Sequence, residues 1–150
     1  MNRPLRSAAP LADIPRTLRR LDELVDAGLA APDPRLDEVA SRYAVAVTPT
    51  LAGLIDPADP ADPIARQFVP DAREIETLPQ ELADPIGDEA HSPVHGIVHR
   101  YPDRVLLKLV GVCAVYCRFC FRREMVGPGS ESSLSEEALE AALAYVAAHP

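Results

Sequence analysis

Val105–Cys120 reads VLLKLVGVCAVYCRFC, a nearly continuous apolar run that leads into three cysteines at C-x3-C-x2-C spacing. The apolar part, Val105–Val112, has the length and continuity of a strand covered on both faces. Cys113, Cys117 and Cys120 are all the cysteines of the chain, and Arg122 and Arg123 follow them. Further on, SSLSEEALEAALAYVAAH offers Ser133 as a helix cap with Glu136 three residues later, and sets Leu139, Ala142, Leu143 and Val146 on one face. The pattern predicts a strand at about 105–112, a loop over 113–123 and a helix at about 134–148. That order is the first unit of a parallel α/β architecture, in which sites form at the carboxyl ends of strands. One parallel strand leaves its backbone groups without partners. The expected fold is therefore α/β and incomplete as it stands, as in an amino-terminal fragment of a longer protein or a chain covered by a partner.

Upstream, residues 1–96 read as a helical, then extended, region ahead of the strand-loop-helix unit at 97–150. Asp13 is a cap for a helix whose apolar positions Leu18, Leu21, Leu24, Val25 and Leu29 recur at three- and four-residue steps, with Gly28 near its end. Asp33-Pro34 starts a second helix with Leu36, Val39, Ala40 and Tyr43 on one face. In TPTLAGLI, Thr48 caps a short helix to about Ile55, with Pro49 in its first turn. DPADPADP reads as a linker whose last Asp-Pro, Asp62-Pro63, opens another short helix through Phe68. From Val69 to Gly96 there is no sustained period, which predicts an extended, wrapping segment.

Composition narrows the partners. The formal charge of −8 argues against general nucleic-acid binding, which needs a basic surface. Yet Arg100–Glu124 holds Arg100, Arg104, Lys108, Arg118, Arg122 and Arg123 against only Asp103 and Glu124, a basic island that suits an anionic ligand. The amino terminus is too polar and proline-broken for a signal peptide, and no apolar run approaches the roughly 20 residues of a membrane helix. The chain reads as cytoplasmic, without membrane or nucleic-acid partners.

Three chemistries compete for the cysteines. Disulfides fit poorly, because the count is odd, the spacing tight and a secretory signal absent. A Cys3His zinc site could use His91, His95, His99 or His149, making the chain a zinc-stabilised protein-interaction module. An iron–sulfur cubane ordinarily takes four thiolates, so three would leave one iron open to another ligand.

C-x3-C-x-aromatic-C, with Tyr116 and Phe119 before the second and third cysteines, resembles the radical S-adenosylmethionine superfamily. The longer stretch SPVHGIVHRYPDRVLLKLVGVCAVYCRFCFRR, Ser92–Arg123, is similar to the lysine 2,3-aminomutase family, as are VTPTLAGLID and DPIARQFVP. The resemblance covers roughly Tyr43–Pro150 and implies a partial β/α (TIM-like) barrel, incomplete in this chain, with residues 1–96 as its pre-barrel region and the barrel beginning at 97–150. It implies a [4Fe-4S] cluster on Cys113, Cys117 and Cys120, whose open iron is chelated by S-adenosyl-L-methionine to generate a 5′-deoxyadenosyl radical. It also implies pyridoxal 5′-phosphate near Arg100, Tyr101 and Arg104, Phe119 stacked on adenine, and Arg122 facing the substrate carboxylate. Arginine suits such anions because its fork binds phosphate or carboxylate bidentately.

What the resemblance implies is an isomerase moving the amino group of lysine from the α to the β carbon, fed by an electron donor such as a flavodoxin or ferredoxin, and homo-oligomeric at full length. Phe119 and Phe121 depart from the lysine 2,3-aminomutases proper. CRFCFRR lies nearer the branch that acts on a lysine of elongation factor P. The only lysine, Lys108, lies in the expected strand and cannot be the family's aldimine lysine, so the fragment alone should be inactive.

Overall fold

The computed structural model describes Ile14 and residues 16–150. The expected cap at Asp13 lies outside the described residues. Two compact units are present: residues up to Thr77 together with Ala114–Cys120, and Leu78–Cys113 together with Phe121–Pro150.

In the first unit the helices are short, as the prolines dictate: α1 Leu21–Asp26, α2 Arg35–Arg42, α3 Pro49–Ala52 and α4 Ala65–Phe68. α1 is shorter than its periodicity suggests because Leu18 is taken by an antiparallel bridge to Val47, with both backbone N–H···O bonds at 2.9 Å. Its end is a Schellman motif: Gly28 N–H donates to the Val25 carbonyl and Leu29 N–H to the Leu24 carbonyl, each at 2.9 Å. Gly28 sits at φ +69°, where a side chain is strained. α2 buries Leu36 and Val39 as its pattern requires, and Tyr43 is buried just after it. Thr48 caps α3, its hydroxyl accepting from Leu51 N–H at 3.3 Å, although the helix stops at Ala52 and turns into the buried Ile55. The core of this unit is Leu18, Leu24, Val45, Val47, Ala52 and Ile55.

DPADPADP is no loose linker. Asp56, Asp59 and Asp62 each accept from the backbone N–H two residues on, at 3.1, 2.9 and 2.9 Å, so the period-three repeat is a train of Asx turns. The buried Asp62 also accepts from Ala65 N–H at 2.7 Å and Asp56 N–H at 3.2 Å, which starts α4 and closes the train. The segment after Val69 is irregular apart from 3-10 turns at Ala72–Ile75 and Glu89–His91.

The second unit corrects the central expectation. Val105–Val112 is not one parallel strand. β1 Ile97–Tyr101 and β2 Arg104–Leu107 form an antiparallel hairpin closed by Pro102-Asp103, with Ile97 opposite Leu107, Val98 opposite Leu106, and an irregularity before Tyr101. The rest of the run turns to a second neighbour: Val110 bridges Ser133, Gly111 N–H donates to the Ser132 carbonyl at 3.1 Å, and Leu134 N–H to the Leu109 carbonyl at 3.0 Å. The partners that the backbone requires thus come from close in sequence, which favours antiparallel pairing. Nor is the run covered on both faces, since Leu106, Leu109, Val110 and Val112 are exposed. The result is mixed helix and small antiparallel sheet, compatible with an α/β class, with no parallel pair among the described residues.

α5, Glu136–Ala147, is capped by Ser135, whose hydroxyl accepts from Ala138 N–H at 3.2 Å; Ser133 is committed to the bridge instead. Of the expected apolar face only Ala142 is fully buried, while Leu143 and Val146 are exposed. Gly96 sits at φ +87°, where a side chain is strained, and it packs against Leu134, whose Cδ1 would have to shift from a Cβ placed 2.5 Å away. None of the helices among the described residues is long and apolar enough to cross a membrane.

Gly28→Ala isolates the cost of conformation, since nothing stands within 4 Å of a Cβ at that position. It should destabilise the first unit by about 1 kcal/mol, read as a lower denaturant midpoint at unchanged slope. An unchanged midpoint would remove the Schellman turn from the account of α1.

Candidate functional site

The cysteine run divides at its first member: Cys113 belongs to the second unit, Cys117 and Cys120 to the first. All three are free of disulfides; Cys113 is exposed and the other two half-buried. Cys120 N–H donates to the Cys117 carbonyl at 3.2 Å, so the C-x2-C half is a tight turn. Among the described residues, no group of three or more His, Cys, Asp or Glu side chains is gathered to hold a metal ion. The histidines considered as zinc ligands are engaged elsewhere. His91 Nδ1 pairs with the Gly87 carbonyl at 2.8 Å, and His95 lies 3.5 Å from Glu131. His99 Nδ1 pairs with the Tyr145 hydroxyl at 2.7 Å, and Tyr145 stacks on His149 at 4.1 Å.

Between Cys117 and Cys120 the chain buries a charge. The Arg118 side chain is 6% exposed and Glu74 13%. Arg118 Nη2 donates to Glu74 Oε2 at 2.7 Å, Nε to Oε1 at 3.0 Å, and Nη1 to the Ala44 carbonyl at 2.9 Å. Its backbone N–H donates to the Gln67 carbonyl at 2.7 Å, and the guanidinium lies over the Tyr43 ring. Glu74 is itself positioned by a reciprocal capping box with Asp71, whose N–H it accepts at 2.9 Å. Arg118 is therefore a structural anchor of the segment that bears two cysteines. D-A-R-E at 71–74 is legible as a capping box, but nothing local says that its glutamate meets an arginine 44 residues away.

The second unit organises the other arginines around a residue that sequence reasoning missed. Asp88 is 2% exposed; it accepts from Arg122 Nε at 2.8 Å and lies 3.7 Å from Arg100 Nη2. The Arg100 nitrogen also donates to the Ile86 carbonyl. Gly87, at φ +70°, turns the backbone beside it, and a Cβ there would stand 3.9 Å from the same nitrogen. Asp84 holds the loop: its carboxylate accepts from Glu89 N–H at 2.8 Å and Asp88 N–H at 2.9 Å. Those two N–H groups, followed by that of Gly87 and the Arg100 guanidinium, keep the Asp84 carboxyl below the ordinary aspartate range.

The remaining expected ligands are accessible. Arg104 pairs with Asp103 at 3.0 Å and lies 5.2 Å from the Tyr101 ring centroid, a cation–π contact on a half-exposed tyrosine. Phe119 is 67% exposed. Arg123, unassigned from sequence, lies near Glu81 and Glu124.

No protein-family model matches the chain. Curated relatives do. The L-lysine 2,3-aminomutase of Clostridium subterminale is 43% identical over 102 residues, 68% of this chain and 24% of that protein. That of Bacillus subtilis is 39% identical over 104 residues, covering 69% and 22%. The glutamate 2,3-aminomutase of Clostridioides difficile is 35% identical over 111 residues, covering 74% and 26%. The chain spans about a quarter of the length of these relatives.

Two outcomes follow from the ion pairs. Glu74→Ala leaves the Arg118 guanidinium buried without its counter-charge and should cost about 3 kcal/mol in denaturation experiments, whereas full stability would show that the pair anchors nothing. Asp84 contributes stability that is present above the ordinary aspartate range and fades as pH falls through its depressed folded-state value. Amide exchange at Asp88 and Glu89 should quicken, beyond its intrinsic pH dependence, on acidification below about pH 4, and Asp84→Asn should abolish that extra step.

Proposed function

We propose that this chain, whose matched residues belong to the lysine 2,3-aminomutase family, carries the cluster-binding loop and an anion clamp of an isomerase that moves an amino group between the α and β carbons of an amino acid. The observation that carries the proposal is the similarity to the aminomutases over 68–74% of the chain, taken together with the C-x3-C-x2-C run that the sequence holds. The partial β/α barrel belongs to this proposal, with the present chain as its beginning.

The donor set suits a [4Fe-4S] cluster: three disulfide-free thiols within eight residues, soft ligands of the kind iron–sulfur sites use, and one iron left for S-adenosyl-L-methionine. Cys113, Cys117 and Cys120 would hold it. The Arg118 anchor fixes the segment that bears Cys117 and Cys120. Arg100 and Arg104 suit the phosphate of pyridoxal 5′-phosphate and Tyr101 its ring, while the accessible Phe119 offers a face for adenine. When bound, the cluster and S-adenosylmethionine supply one-electron chemistry, and pyridoxal phosphate supplies a delocalising ring. The chain's own part is to bind and orient: Arg122 presents a guanidinium to the substrate carboxylate, held at its Nε by a buried carboxylate.

Relatives named for lysine and for glutamate both align, so the likeness extends to enzymes named for two different amino acids. A second reading, a protein-bound lysine of elongation factor P, is favoured by Phe119 and Phe121. Both are 67% exposed where the lysine enzymes commonly have histidine and a small residue.

Anaerobic reconstitution of this chain should yield about 4 iron and 4 sulfide per protein, falling in Cys117→Ser; about 1 zinc and no sulfide would establish the zinc-module alternative instead. The holoenzyme, reduced and supplied with L-lysine, L-glutamate or elongation factor P in separate incubations, should form the β-amino product from one of them. No product and no 5′-deoxyadenosine from any would defeat the aminomutase reading.

A further inference from the structure

Asp88 is the most deeply buried carboxylate among the described residues, and two guanidiniums converge on it. A carboxylate so far from water needs counter-charge, and one arginine would neutralise it. Arg100 also acts on the neighbouring Asp84 carboxylate, so the cluster sets two guanidiniums against two carboxylates. The arginine side chains remain 35% and 37% exposed, so the anchor is dry while both arms reach solvent. Arg122 engages Asp88 through Nε, and a guanidinium has five N–H donors, so its fork can serve a second acceptor. The backbone that carries Asp88 is fixed on both sides. Its N–H is held by Asp84 at 2.9 Å, and its carbonyl accepts from the Ser92 hydroxyl at 2.8 Å and from His91 N–H at 3.1 Å.

We infer that Asp88 is a positioning residue that makes Arg100 and Arg122 a single two-armed anion receptor, in which an anion on one arm changes the affinity of the other. The inference rests on the aminomutase reading for the identity of the anions, a phosphate ester at Arg100 and an amino-acid carboxylate at Arg122. The coupling follows from sharing. An anion at Arg100 competes for that guanidinium and returns more of the Asp88 charge to Arg122, whose pull on a second anion weakens; with Asp88 removed, each arm would respond by itself. In a working site this links the seating of the phosphate to the grip on the substrate, which are otherwise separate arginine contacts.

The test follows the Nε–H signals of Arg100 and Arg122 by nuclear magnetic resonance in this chain. Acetate is titrated at zero and at saturating inorganic phosphate. The apparent acetate constant at Arg122 should change threefold or more with phosphate, and the dependence should vanish in Asp88→Asn. A phosphate effect that survives in Asp88→Asn, or none in the unsubstituted chain, overturns the inference. If Asp88→Asn loses the native amide spectrum, Arg100→Lys and Arg123→Lys replace it. Arg100→Lys should shift the acetate constant and Arg123→Lys should not, while equal behaviour of the two overturns the inference. A purely structural Asp88 would change the stability of the variant without any such coupling. Because the probes are inorganic anions, failure to form a β-amino product would count against the proposed function and leave this result standing.

Discussion

A guanidinium buried between two cysteines must find acceptors for its donors, and the arrangement of residues 114–120 follows from that demand. The Arg118 guanidinium takes the Glu74 carboxylate and the Ala44 carbonyl, and its backbone N–H takes the Gln67 carbonyl, three acceptors from three stretches of the first unit. Each is immobilised for its own reason: Glu74 by the Asp71 capping box, Ala44 by lying between the buried Tyr43 and Val45, and Gln67 by membership of α4. Leaving such a charge unpaired costs several kcal/mol, more than a short loop gains from any other contact it makes. The segment bearing Cys117 and Cys120 is thus committed to the helical unit by electrostatics rather than by apolar burial.

The same logic recurs in the second unit with the signs exchanged, since there the buried charge is a carboxylate and the arginines come to it. Asp84 organises the backbone, Gly87 makes the turn, and Asp88 receives Arg100 and Arg122. Both regions stand among proline-broken segments with little apolar content, where fixed polar groups replace a large core as the source of order. That is how a stretch read as merely extended and wrapping comes to hold the best-defined polar cluster of its unit.

Local signals were legible wherever the determinant and its consequence lie within one turn. Thr48 and Pro49 start α3, Asp33-Pro34 starts α2, and Gly28 ends α1 because only the immediate backbone is involved. DPADPADP carried its aspartates openly, yet their Asx bonds to backbone were overlooked in favour of the prolines between them. The strand at Val105–Val112 was misjudged for another reason. Continuous apolarity signals burial on both faces only if something covers both, and here the run divides between β1 and the segment before α5 while several of its side chains stay exposed.

What the sequence determined by itself is the chemistry on offer: three thiols at fixed spacing, a cluster of arginines in an acidic chain, and a likeness to the aminomutases that the curated relatives support. These are properties of residue identity and order, and folding does not alter them. Only the tertiary structure decided which arginine does what. Arg118 and Arg122, four residues apart and chemically identical, become a buried anchor and a solvent-reaching arm because their carboxylates, Glu74 and Asp88, arrive from 44 and 34 residues away. Spacing along the chain carries no information about such partners, since a buried charge is matched by whatever the fold brings within hydrogen-bond reach.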